Sequence, residues 1–64
     1  MPNGIQPGDI VEIDYGFRKK MAIYLGYVAE ENRHYFRDDG PFPFAFTPEF
    51  LSSGRVSIQI LPTD

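Results

Sequence analysis

Glu12 and Asp14 stand two residues apart in the run PGDIVEIDYG. On an extended chain that spacing puts both carboxylates on one side, about 7 Å apart, a gap that glycoside hydrolysis by paired carboxyl groups can use. Such chemistry also needs a cleft that raises one pKa and excludes water. A chain of 64 residues offers little room for one, so solvated strand-face charges are the plainer account. His34 is the only histidine. With Asp38 or Asp39 it would make a base and its orienting carboxylate, but RHYFR around it reads as a strand, which suits a histidine packed among aromatic neighbours. One imidazole beside two adjacent turn carboxylates is poor spacing for a metal, and neither a metal nor another cofactor is expected. The chain has no cysteine, which removes thiolate ligands, a thiol nucleophile and disulfides together.

Two further clusters suit binding rather than catalysis. Arg18, Lys19 and Lys20 form the basic cluster of the chain, next to Tyr15 and Phe17, and Arg33 and Arg37 flank Tyr35. A nucleobase can stack on an aromatic ring beside such charge. The net charge of −3, from six basic against nine acidic residues, opposes a polyanion, and charged loops also serve simply to solvate a turn. The second cluster is FPFAF, residues 42–46. Alternation puts Phe42, Phe44 and Phe46 on one face of an extended segment, and at least two of these rings are expected to enter the core. Pro41 and Pro43 cannot donate to a ladder and so hold the segment at a sheet edge. Such an edge can accept a strand from another chain, including a second copy.

The elements that must position these residues follow from alternation. Residues 9–15 read as a strand with Val11, Ile13 and Tyr15 inward and Glu12 and Asp14 in water. Residues 20–28 read as a second strand, joined to the first through residues 16–19. Met21, Ile23, Leu25 and Tyr27 share one of its faces, and Ala22, Tyr24, Gly26 and Val28 the other. With both faces apolar the strand is expected to be central, and Gly26 within it signals a bulge. After a polar turn at residues 29–32 comes a third strand, residues 33–37. Asp38-Asp39-Gly40 then reads as a tight turn that uses positive φ. Thr47 as N-cap, Pro48 at the first helical position and Gly54 as terminator predict one helical turn, α or 3₁₀. Residues 55–61 make the last strand, with Val56, Ile58 and Ile60 inward. Residues 1–8, with two Pro and two Gly, form an irregular lead-in.

The predicted fold is therefore all-β, a single domain over residues 1–64, with five strands and one short helical turn before the last. That order resembles SH3-like small barrels over residues 8–61. The first hairpin, PGDIVEIDYG…MAIYLG, is also similar to the opening of papain-like NlpC/P60 and lecithin retinol acyltransferase proteins. In that family a histidine starting the second strand is the catalytic base and a later cysteine is the nucleophile. Lys20 stands at the histidine position here, Met21 at a tryptophan position, and the cysteine is missing, so the resemblance implies hairpin geometry without acyl transfer. PGDIVEIDYG is similar, too, to the start of MazF-type toxin ribonucleases, but the catalytic residues that come after the hairpin in those chains have no counterpart.

Ten aromatic residues, six Phe and four Tyr, are more rings than a domain of this size is expected to seal inside. A chain this short buries only about 60% of the surface its unfolded form exposes. Exposed rings mark contacts, so the expected function is non-enzymatic protein binding, as in a small accessory subunit or a viral or bacterial regulator. The contact residues would be Tyr15, Phe17, Tyr24, Tyr35, Phe42 and Phe44. The competing reading is a nucleic-acid-binding barrel using Arg18, Lys19, Lys20, Arg33 and Arg37. Neither a leader nor a membrane span is legible, and the expected location is the cytoplasm.

Overall fold

The computed structural model describes residues 4–62. Five strands, β1 (Ile10–Asp14), β2 (Lys19–Val28), β3 (Arg33–Arg37), β4 (Phe44–Phe46) and β5 (Ser57–Ile60), form one antiparallel sheet in the order β4-β3-β2-β1-β5. β2 is central, as its two apolar faces predict. Among the described residues no ladder joins β4 to β5. The short helix α1 (Pro48–Ser52) connects these two edges and carries Leu51 into the core. Of the expected lead-in, residues 1–3 lie outside the described residues. From Gly4 on it is irregular but tied down: the Gly8 N–H donates to the Tyr24 carbonyl at 2.8 Å, and Ile5 packs against the core.

The inward face is set by β1. Glu12 and Asp14 must stay near water, so Val11 and Ile13 turn inward, and both are fully buried. The register pairs Val11 with Ala22, Ile10 with Ile23 and Glu12 with Met21. Side chains on directly paired residues share a face, so Ala22 and Tyr24 join the core while Met21 and Ile23 lie outside with Glu12 and Ile10. Phe36 comes from β3, paired with Tyr24, and Val56 precedes β5. Phe44, Phe46, Phe50, Ile58 and Ile60 close the cluster.

Alternation along β2 breaks where Gly26 predicts it. The β2–β3 register shifts between Tyr24 and Gly26, and Gly26 has φ +130°. Beyond this bulge Gly26 pairs with Tyr35 and Tyr27 with His34, so Tyr27 no longer shares a face with Met21 and Ile23. Its ring lies 4.8 Å from that of His34, on the side of Tyr24 and Phe36.

The helical turn is α rather than 3₁₀ and starts as expected, with Thr47 Oγ1 accepting from the Phe50 N–H at 3.2 Å and Pro48 leading. Phe36→Ala removes a ring with 0% exposure and should cost about 3–5 kcal/mol, most of what a domain this small has in hand. Gly26→Ala should cost about 1–3 kcal/mol through backbone strain alone. Urea denaturation followed by circular dichroism measures both.

Candidate functional site

The β1–β2 and β3–β4 connections open at the same end of the sheet, because β1, β2, β3 and β4 are successive antiparallel neighbours. The first connection, residues 15–18, is tight: Asp14 Oδ1 accepts from the Gly16 N–H at 2.8 Å, and the Tyr15 N–H donates to the Arg18 carbonyl at 2.8 Å. Gly16 supplies the left-handed residue, φ +91°. The turn throws Phe17 into solvent at 85% exposure and folds Tyr15 back, its ring 6.5 Å from Phe46.

The second connection is not the tight Asp-Gly turn the sequence suggests. It runs over residues 38–43, and Gly40 is not among the positive-φ glycines. The side chain of Asp38 makes the turn instead, accepting from the Gly40 N–H at 2.7 Å while ion-pairing with Lys20. The chain bends through residues 39–42 before β4, and Phe42 stands out at 78% exposure. Phe44 and Phe46 pack on Phe36, as expected for two of the three rings.

Between these loops the outer face of the sheet carries a shallow open groove of about 710 Å³. It exists because β3 ends at Arg37, opposite Ile23, whereas β2 runs on to Lys19 against β1 alone. Ile10, Met21 and Ile23 form its apolar floor, and Arg18, Arg37 and Asp39 stand on its rim. Met21 is 61% exposed, and Ile23 and Leu25 are each 44% exposed. Met21 and Ile23 line the groove, whereas Leu25 lies at the bulge outside it; the expected contact residues include neither Met21 nor Ile23. The signal that finds them is Glu12, whose need for water assigns the whole register partner face to the outside.

The other expected contact residues do not gather into one surface. Tyr24 is a correction: its ring is 4% exposed, sits 5.3 Å from Phe36, and is core. Its hydroxyl is hydrogen-bonded to His34 Nδ1 at 2.8 Å, and burial pushes the phenol pKa up. Phe44 is half-buried, 5.9 Å from Phe36 in a stacked pair. Tyr35, on the outer face of β3, donates to the Glu31 carboxylate, which raises its own pKa.

The five cations of the nucleic-acid reading are likewise divided. Lys19 Nζ is 3.9 Å from Glu12. Lys20 pairs with Asp38 and lies 5.4 Å over the Phe44 ring. Arg33 and Arg37 are at opposite ends of β3, about 13 Å apart along it. His34 does not meet Asp38, which lies beyond the far end of β3; its ring lies between Tyr24 and Tyr27, and burial lowers its pKa. Among the described residues no group of three or more His, Cys, Asp or Glu is placed to hold a metal, and no helix is long and apolar enough to cross a membrane.

No family model, curated protein or solved structure matches this chain.

Lys20, and then the Gly40 N–H, hold the Asp38 carboxyl below its ordinary range. The stabilisation this gives is complete above about pH 4 and fades as pH falls through the lower folded value. His34 acts in the same sense at higher pH. Its folded value lies below 6.5, so just under that pH the unfolded chain binds the extra proton and folding weakens. Denaturation midpoints should therefore fall in two steps on acidification. Asp38→Asn should flatten the acid step and His34→Gln the step near neutrality. Unchanged profiles in both variants would contradict these assignments.

Proposed function

We propose that this protein is a non-enzymatic protein-interaction module, an SH3-like small barrel in which α1 bridges the two edge strands. It meets its partner through the groove and the loop end beside it. The observation that carries this reading is the exposed apolar floor of Met21 and Ile23, flanked at the loop end of the sheet by exposed Phe17 and Phe42. Covering a fully exposed side chain of this kind is worth about 1.5–3 kcal/mol, and half-exposed Ile23 correspondingly less, so several together offset part of the roughly 4–15 kcal/mol cost of association. An apolar centre with arginines at its border is the composition of interaction hot spots. A cysteine-free chain suits the reducing cytoplasm, where we place this activity.

Phe17→Ser/Ile23→Ser changes only exposed positions and should leave the circular dichroism spectrum and melting temperature close to wild type. In affinity capture from the native host, followed by reconstitution with the purified partner, it should bind at least about tenfold more weakly, roughly 1.4 kcal/mol. Equal affinity for two folded proteins would sink the proposal.

A further inference from the structure

We infer that the partner is a second copy of this chain, docked face to face on the outer side of the sheet about a two-fold axis parallel to β2; this rests on reading that face as a protein contact. The argument is one of charge. Outward positions on β1 include Glu12 and Asp14, and outward positions on β3 include Arg33 and Arg37. Between them β2 presents an apolar stripe of Met21 and Ile23, with Lys19 at the loop end 3.9 Å from Glu12. Glu31, which accepts from Tyr35, and Asp39 stand beside β3, but among the strand residues themselves the outward charges of β1 are acids and those of β3 are bases.

A two-fold axis lying along that stripe exchanges the sides, placing the acidic strand of each copy over the basic strand of the other. An in-plane axis perpendicular to β2 would instead set acid on acid and base on base. Charge therefore selects one of the two face-to-face arrangements. The register supports contact as well. Glu12 pairs with Met21 and Arg37 with Ile23, so the two charges differ by two residues along the axis, about 7 Å, a span an extended arginine can reach. The same operation keeps the loop ends together and lays the Phe17 loop of one copy over the Phe42 loop of the other.

The competing geometry, pairing of sheet edges, has less to work with. β4 has three residues and comes directly after Pro43, and β5 has four. The net charge of −3 on each copy opposes association in general, but it is screened over about 8 Å at physiological salt, whereas the charged side-chain ends of the exchanged strands can approach to ion-pair distance. Association would also stabilise a domain of this size by mass action.

Sedimentation velocity over micromolar to millimolar concentrations tests this. The mass of the wild type should rise from one chain to two, and added salt should weaken the dimer. Ile23→Asp should remain monomeric. Arg37→Glu and Glu12→Arg should each weaken dimerisation about tenfold, and the double variant should return to within about threefold of wild type, which a merely structural effect would not do. A dimer indifferent to Ile23→Asp, or a double variant no better than the single ones, overturns the inference. A monomer at every concentration overturns it too. If that monomer still captures another protein through Phe17 and Ile23, the contact surface stands and only the second copy is lost. If it captures nothing, both readings fall.

Discussion

A strand can turn only one set of alternate side chains inward, and β2 carries apolar residues on both sets. Two constraints decide which set enters. Glu12 and Asp14 must stay near water, which fixes the inward face of β1 and, through the register, sends Ala22 inward and Met21 and Ile23 outward. The extra residue at the Leu25–Gly26 bulge then resets the parity. Tyr27 can pack beside His34 on the inner side while Ile23 remains outside. A regular strand would carry Tyr27 along with Ile23 and leave the rim near His34 without a ring. Gly26 is the residue that can adopt φ +130°, and Pro7 lies 3.6 Å from where a Cβ would stand, so the lead-in closes over the bulge.

The consequence is an uneven distribution of aromatic area. Phe36 gathers Tyr24, Phe44 and Phe46 around itself, with ring centroids 5.3, 5.9 and 5.7 Å away. Phe50 stacks on Phe46 from α1 at 5.2 Å. Those rings supply cohesion that disulfides give other small domains. Lys20 links this core to the β3–β4 loop, since its ammonium lies over Phe44 and pairs with Asp38. Lys20 and Asp38 also line the groove that begins where β3 leaves β2, so the contacts that fix the loop border the floor of Ile10, Met21 and Ile23.

The strands and their order along the chain were legible because alternation, Gly and Pro mark them. The bounds of β3, the edge position of β4, the Thr47 cap and the bulge at Gly26 all follow from residue chemistry. The all-β class and the five-stranded antiparallel sheet agree with that reading. The direction of each aromatic ring was not legible. Tyr24 reads as a surface tyrosine only while both faces of β2 look alike, and the register that separates them belongs to β1. The turn at Asp38 misled in another way. Asp39-Gly40 favours a tight turn, but it is the Asp38 side chain, ion-paired with Lys20 eighteen positions earlier, that accepts from the Gly40 N–H, and the connection is longer. The first failure is a long-range register; the second is a local side-chain bond to Gly40 joined by a long-range ion pair.

The claim on which the surface depends is that Met21 and Ile23 face solvent while Ala22 between them does not. The chain contains no native thiol, so single cysteines can report accessibility without interference. Met21→Cys, Ala22→Cys and Ile23→Cys should be labelled with a thiol reagent at dilutions where the chain is monomeric. The account predicts reaction at positions 21 and 23 close to the unfolded rate, with position 22 slower by about a hundredfold or more. Fast reaction at position 22 together with protection at position 23 would mean that β2 is turned over, and the groove, its floor and the contact surface would be lost with it.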